Sequence, residues 1–110
     1  LYDAVTEQWS FVLPSGLSAG NYSFYFTFHY TVGDGGFGLF RREYLEAGET
    51  HYMLATQFED LGARLAFPCF DEPALKATFS TTLGHRTEYT ARTNMPAVSS
   101  QPIDGLPGWQ

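Results

Sequence analysis

Apolar and polar side chains alternate along the chain from Tyr22 to Val32, where "YSFYFTFHYTV" places an aromatic or β-branched residue at every second position. Because successive side chains of a β-strand point to opposite faces, a period of two predicts a long strand with one aromatic, buried face. The run from Trp9 to Leu13 alternates in the same way, and the intervening "PSGLSAGN" is rich in turn-forming residues. We expect the two runs to be antiparallel neighbours.

Four later segments rich in aromatic and β-branched residues predict further strands, since such side chains suit a pleated surface. The glycine-rich segment Val32 to Gly38 lacks the Lys-Ser/Thr ending of a phosphate-binding P-loop and is interpreted as a hairpin loop. Residues 59–67 predict one short helical turn, with Asp60 as its N-cap and Pro68 blocking continuation. Short strands separated by turns predict an all-β domain, an antiparallel β-sandwich. The four segments are "LFRREYL" (39–45), "THYMLATQF" (50–58), "ATFSTTL" (77–83) and "EYTAR" (88–92).

Charge and composition narrow the classes of partner. Twelve acidic residues against six basic ones give a net charge of −6, which leaves no basic footprint for nucleic acid or an anionic membrane surface. No apolar run approaches the roughly 20 residues of a membrane-spanning helix. A chain of 110 residues suits one domain with its own core. Asn21-Tyr22-Ser23 is an N-glycosylation sequon, which matters if the protein is secreted.

The stretch "LAFPCFDEPALKATF" (65–79) combines a thiol with two adjacent carboxylates, two prolines and a lysine. Its single cysteine, Cys69, lies close to acidic residues and among apolar ones, and both surroundings raise a thiol pKa. A nucleophilic cysteine needs the opposite environment, one that favours the thiolate. We therefore interpret Cys69 as a packed, unreactive core residue.

The adjacent carboxylates Asp71 and Glu72 invite comparison with a general acid/base pair. Neighbouring residues of an extended chain point to opposite sides, whereas paired catalytic carboxylates face each other across a substrate. We expect one or both to accept hydrogen bonds from backbone amides, from Arg64 or from Lys76, and so to anchor a loop.

Two other sets of polar residues are candidates for a site. His29, His51 and His85 are widely spaced and share no metal-ligand pattern, so no metal site is expected within this chain. If the strand through residues 50–58 continues, parity places Gln57 and Glu59 on the same face. An amide and a carboxylate projecting side by side at a strand end could hold a cationic ligand.

The run "ATQFEDLGARLAFPCFDEPALKATF" (55–79) resembles the N-terminal domain of the zinc aminopeptidases related to aminopeptidase N and the endoplasmic-reticulum aminopeptidases. "GFGLFRREY" (36–44) and "ARTNMP" (91–96) are similar to two further segments of that family, and the resemblance extends from about Leu1 to Pro96. The residues that match the family's order and spacing are Thr56, Gln57, Phe58, Glu59, Ala63, Arg64, Phe67, Pro68, Cys69, Phe70, Asp71, Glu72, Pro73, Lys76, Ala77 and Phe79.

This resemblance implies a saddle-like β-sandwich that packs against a separate zinc-binding catalytic domain and closes one side of its active site. It also implies that Gln57 and Glu59 help to form the pocket for the substrate's first residue, with Glu59 near the positively charged peptide N-terminus or a basic first side chain. Zinc would belong to the full-length protein, and peptides would be its substrates. We expect residues 1–110 to be most of a single N-terminal domain within a longer chain.

The chain also departs from the family pattern. The zinc motif His-Glu-x-x-His is absent, so these residues bind no zinc of their own and cannot hydrolyse a peptide alone. Gly38 stands where the family has Tyr, Arg42 where it has Ser, and Thr93 replaces another Ser. These substitutions leave the detail of the strand through 36–44 open.

Two further functions stay open at this point. A catalytically silent family member could use the same domain as a binding or receptor ectodomain. An acidic, aromatic-rich β-sandwich could also be a carbohydrate-binding module, although the parity of Tyr22 to Tyr30 predicts buried rather than exposed rings. The sequon and the resemblance to membrane-anchored relatives favour the secretory pathway, whereas cytosolic relatives share the same motifs.

Overall fold

A computed structural model describes residues 1–13 and 15–110 of the chain. Within them every regular element is a β-strand except one short 3-10 helix, so the predicted all-β class is confirmed. The chain divides into two compact units, Leu1–Asp71 and Glu72–Gln110. The elements are β1 (Tyr2–Asp3), β2 (Gln8–Trp9), β3 (Gly38–Glu46), β4 (Glu49–Gln57) and the 3-10 helix (Ala63–Leu65).

The largest element of the first unit is an antiparallel hairpin in which β3 and β4 pair along their whole length. Ala47 and Gly48 form its two-residue turn, with φ values of 52° and 87°. A tight turn that matches the twist of the flanking strands requires positive φ at both central positions, and glycine meets that need at no steric cost. The strands predicted over 39–45 and 50–58 are confirmed to within one residue at each end.

A second, shorter ladder joins β1 to β2, with Tyr2 opposite Trp9. The rings of these two residues lie 5.1 Å apart between centroids and are tilted by 37°. The prediction of a strand from Trp9 to Leu13 is therefore wrong in its extent, since the ladder ends at Trp9. Its partner is the nearby β1 rather than the aromatic run, because closing a short loop costs less chain entropy than closing a long one.

The prediction of a long strand over Tyr22–Val32 is wrong, because these residues belong to no ladder. Their alternation is retained locally: the rings of Phe24 and Phe26 stack 6.5 Å apart, while Tyr25 between them is 93% exposed. The aromatic side is not buried either, with Phe24 57% and Phe26 48% exposed. A ring contact of 5.5 Å between Phe11 and Phe26 joins the run to the upstream segment. Periodicity specifies which side chains share a side, but a strand also needs a hydrogen-bonded neighbour.

The glycine-rich segment 32–38 folds back onto β3 rather than joining two strands. Gly33 and Phe40 form an isolated parallel bridge, and the backbone N–H of Arg41 donates to the Gly33 carbonyl at 2.8 Å. The predicted hairpin loop is thus a chain reversal that has a strand on one side only.

Burial is slight throughout the described residues, and no hydrophobic side chain among them is fully buried. Among residues 1–13 and 15–110, those that are buried are Gly38 and Gly62, where the beginning of β3 meets the 3-10 helix. A β-sandwich requires two sheets whose inner faces interdigitate over about 10 Å. The sandwich and the single domain over residues 1–110 therefore stay predictions.

The one helical element lies inside the predicted segment 59–67, which confirms a short turn there. Its N-cap is Gly62 and carries no side-chain hydrogen bond, so the prediction of Asp60 as the cap is wrong. The turn begins later than expected because the N–H of Gly62 donates to the Phe58 carbonyl at 2.8 Å and the chain reverses first. Within the described part of the chain, no helix is long and apolar enough to cross a membrane.

The second unit, Glu72–Gln110, has no strand, so the predictions over 77–83 and 88–92 are wrong. An isolated bridge joins Arg86 to Trp109, and His85 and Gln110 exchange two backbone hydrogen bonds of 2.8 Å. Aromatic and β-branched residues favour a strand only where a neighbouring strand is available, and none pairs with these segments.

Candidate functional site

Gln57 and Glu59 lie together at the end of β4, in the position that the sequence indicated for a ligand. The strand ends at Gln57, so the parity argument, which required the strand to continue, does not apply. The two residues are brought together instead by a hydrogen bond of 3.4 Å from the Gln57 side-chain amide to the Glu59 backbone carbonyl. Both residues are exposed. The Gln57 side-chain oxygen and the Glu59 carboxylate accept no hydrogen bond from the described residues, so both can accept from a ligand.

A close backbone contact holds this strand end in place. A Cβ atom added to Gly62 would lie 2.5 Å from the Gln57 carbonyl oxygen and 3.0 Å from the Phe58 Cα. The Phe37 ring lies on a third side, with its Cζ atom 3.2 Å from the same added Cβ. Ordinary contacts between carbon atoms are about 3.5–4.0 Å, so only glycine fits here. The position of Gln57 thus depends on the missing side chain of Gly62.

Gly38 supports the same strand end from the opposite strand, since it pairs with Gln57 in the β3–β4 register. Its φ of +73° is one that residues with a side chain rarely adopt. An added Cβ would also lie 2.8 Å from the Leu65 Cβ. Gly38 stands where the family has Tyr, and this departure is consistent with the local structure, which has no room for a larger residue.

Arg64 and Asp71 form the strongest polar contact near the site. One carboxylate oxygen of Asp71 accepts from the Arg64 backbone N–H at 3.0 Å and from its side-chain Nε at 2.8 Å. A third hydrogen bond, 3.1 Å long, runs from the guanidinium to the Asp71 backbone carbonyl. The hydrogen bond to Asp71 raises the pKa of Arg64 above its usual range. The predicted pairing of Asp71 with Arg64 and with a backbone amide is confirmed, and it closes the segment between them into a loop.

Glu72 has a more local contact than its neighbour. Its carboxylate accepts from the Ala74 backbone N–H at 3.4 Å, and its backbone carbonyl accepts from the Leu75 N–H at 2.8 Å across Pro73. No ion pair of Lys76 occurs within the described residues, so the alternative pairing with that lysine is not found. Glu72 therefore shapes a turn, whereas Asp71 is bonded back to Arg64 of the 3-10 helix.

Cys69 is exposed, so its interpretation as a core residue is wrong. Pro68 and Phe70 on either side of it are exposed as well, and Phe70 is 83% exposed. The described residues enclose no core into which this segment could pack. The protein atoms around the sulfur nevertheless raise the pKa of the Cys69 thiol, and the negative charge of Asp71 raises it further. This thiol is a poor nucleophile at neutral pH.

Two of the histidines make local contacts with neighbouring residues. His51 stacks on Tyr44 with 5.5 Å between ring centroids, and the Nδ1 of His85 lies 2.8 Å from the Arg86 carbonyl. Across the described residues, no three His, Cys, Asp or Glu side chains are grouped so as to hold a metal ion.

A polar pocket that the sequence did not indicate lies along β3, with a volume of about 290 Å³. Arg41 donates to the Asp34 carboxylate at 3.1 Å, and its guanidinium lies 5.0 Å from the centre of the Tyr52 ring. The hydrogen bond to Asp34 raises the pKa of Arg41. Arg42 and Glu43 complete the lining. The positive charges of Arg41 and Arg42 balance the negative charges of Asp34 and Glu43, so the pocket has no net preference for a charged ligand.

Known proteins similar to this chain are aminopeptidases. The family model described as the peptidase M1 N-terminal domain matches residues 1–110. Aminopeptidase N of Bos taurus is 41% identical over 107 residues, which cover 96% of this chain and 11% of that protein. Endoplasmic reticulum aminopeptidase 1 of Rattus norvegicus is 40% identical over 103 residues, covering 91% and 11%. Glutamyl aminopeptidase of Bos taurus is 42% identical over 69 residues, covering 63% and 7%.

The chain spans about a tenth of the length of the relatives that match most of it. No solved structure matches it significantly. The family model covers the chain from end to end, and two relatives at 40% and 41% identity cover more than nine-tenths of it. The resemblance noted in the motif residues is therefore confirmed, and the chain belongs to the peptidase M1 N-terminal domain family.

Proposed function

We propose that this chain is the N-terminal domain of a zinc-dependent aminopeptidase, an enzyme that removes N-terminal residues from peptides. In this proposal it contributes scaffold and part of the pocket for the first residue of the substrate. The observation that carries the pocket role is the pair Gln57 and Glu59, joined at an exposed strand end with acceptor atoms available. Family membership and the aminopeptidase names of the relatives support the enzyme class.

The chemistry of a peptide N-terminus explains why these two side chains suit it. A protonated amino group carries donors and a positive charge but no acceptor, so its partners are carboxylate and carbonyl oxygens. Glu59 offers the charge and Gln57 a neutral acceptor that also aligns the group. Exposed as they are here, both are screened by water, and covering the site with protein would strengthen their attraction for the ligand.

The catalytic zinc of such an enzyme would be held outside these residues. The sequence has no His-Glu-x-x-His motif, and the described residues bring no metal-ligand set together. A catalytic zinc supplies a Lewis acid for hydrolysis, whereas this chain would bind and orient the substrate. The many half-exposed aromatic residues also favour a surface that packs against a catalytic domain of the same protein.

The test is a kinetic comparison in the full-length protein. Glu59→Gln keeps the shape of the side chain and removes its charge, so we expect kcat/KM to fall about tenfold for peptides with any first residue, and further where the first side chain is itself basic. Glu49→Gln, at the opposite end of the same strand, is the matched control and should leave the preference unchanged. Equal kinetics of Glu59→Gln and the parent across a panel of first residues would overturn the pocket role. Peptide binding without hydrolysis would favour a silent receptor instead.

One observation favours a second function, a carbohydrate-binding module. The rings of Phe24 and Phe26 are stacked and about half exposed, as the platform of a sugar-binding face would be, although burial was expected. The family match outweighs this observation, because it extends over the whole chain. Saturable binding in a titration with oligosaccharides would support the carbohydrate-binding function instead.

A further inference from the structure

The sequon Asn21-Tyr22-Ser23 lies in a part of the first unit that has no regular secondary structure. Asn21 and Ser23 are exposed, and the Asn21 side-chain amide takes part in no hydrogen bond with the described residues. An N-linked glycan is bulky and hydrophilic, so an acceptor asparagine must lie at the surface. The acceptor motif and the surface position therefore coincide at this residue.

Tyr22, the central residue of the sequon, is held away from the Asn21 side chain. The Tyr22 hydroxyl donates to the Ser18 carbonyl at 2.6 Å, and its ring lies within 3.7 Å of the Cβ position of Gly20. Tyr22 thus folds back over the preceding turn. This contact fixes the backbone next to Asn21 without using its amide, which stays accessible.

We propose that Asn21 is an N-linked glycosylation site, and hence that the protein passes through the lumen of the secretory pathway. The donor is an oligosaccharide linked to a lipid pyrophosphate. A bond forms between the Asn21 side-chain nitrogen and the anomeric carbon of the first sugar as the bond from that carbon to the pyrophosphate oxygen breaks. The amide nitrogen loses one proton, and the lipid pyrophosphate leaves with the electron pair. This inference does not rest on the proposed peptidase function.

The experiment uses the full-length protein expressed from its own reading frame in animal cells. Peptide N-glycosidase digestion in heavy-oxygen water converts a glycosylated asparagine to a labelled aspartate, which peptide mass spectrometry locates. We expect the label at residue 21 and an unlabelled amide at Asn94, the other asparagine of the chain, which has Pro96 where a sequon needs Ser or Thr. A digest without enzyme accounts for spontaneous deamidation.

Three variants separate the modification from effects on folding. Asn21→Gln and Ser23→Ala should each remove one glycan-sized gel shift, whereas Ser23→Thr should retain it because the sequon is preserved. Unlabelled Asn21 in the parent protein, whether it is secreted or stays in the cytosol, would overturn the proposal. Peptidase assays on the same preparations report on the proposed function separately, since either result can occur without the other.

Discussion

Gly62→Ala is the most direct test of the contact that positions the candidate site. The added Cβ would lie 2.5 Å from the Gln57 carbonyl oxygen and 3.0 Å from the Phe58 Cα, and both are backbone atoms that cannot rotate away. Inserting a methyl group into a filled space costs about 1–3 kcal/mol. Gly62 has an ordinary φ of −88°, so replacing glycine also stabilises by about 0.4–1 kcal/mol through the unfolded chain.

These two effects leave a net loss of about 1–2 kcal/mol in the free energy of unfolding. For a domain of this size, that corresponds to a melting temperature roughly 10 °C lower. Urea and thermal unfolding of residues 1–110, followed by circular dichroism, measure both quantities. Under the proposed pocket role, KM for peptide substrates should also rise in the full-length protein, because the clash lies against Gln57.

Gly35→Ala provides the matched control for this substitution. Its φ lies outside the left-handed region and an added Cβ would meet nothing within 4 Å, so the same change should be neutral or slightly stabilising. If Gly62→Ala were as stable as Gly35→Ala, the close contact would not exist in solution. The inference that Gly62 positions Gln57 would then be refuted.

Three other predictions concern residues around the site. Gly38→Ala places a side chain at a residue of positive φ and brings its Cβ within 2.8 Å of the Leu65 Cβ. It should lower the free energy of unfolding by about 2–4 kcal/mol. An unchanged midpoint in urea unfolding would contradict this prediction. Asp71→Asn should lower the melting temperature clearly more than Glu72→Gln, because Asp71 accepts two hydrogen bonds and Glu72 one long one; equal shifts would refute this difference. Alkylation of Cys69 should show a pH midpoint above that of a free cysteine, since its pKa is raised, and a midpoint at or below the free value would contradict the assignment. Protonation and folding are linked wherever a pKa differs between the folded and unfolded chain. The stability that the protonated Cys69 thiol contributes is therefore present below the ordinary thiol pKa and is lost as the pH rises through the raised value.

Part of the structure around the candidate site could be predicted from the sequence because the features concerned are local. Two runs rich in aromatic and β-branched residues predicted strands over 39–45 and 50–58, and both observed strands lie within one residue of those bounds. Arg64 and Asp71 are seven residues apart, close enough for one turn to bring a cation and an anion together. The order and spacing of the motif residues also sufficed for the family.

The tertiary structure decided the features that need a second segment. Alternation from Tyr22 to Val32 specifies an aromatic side, yet whether that side pairs or is buried depends on a neighbour, and none pairs with it among the described residues. The exposure of Cys69 is set in the same way by what surrounds it.

The close approaches at Gly62 and Gly38 are likewise invisible in the sequence, where a glycine indicates only freedom of the backbone. Their role depends on the distance to atoms of Gln57 and Leu65, which only the folded chain defines. The sequence by itself thus determined the two long strands and the family, and it offered Arg64 as one of the possible partners of Asp71. The tertiary structure decided which surfaces are covered and which backbone contacts hold the strand end, because burial and steric fit are properties of pairs of segments and not of one segment alone.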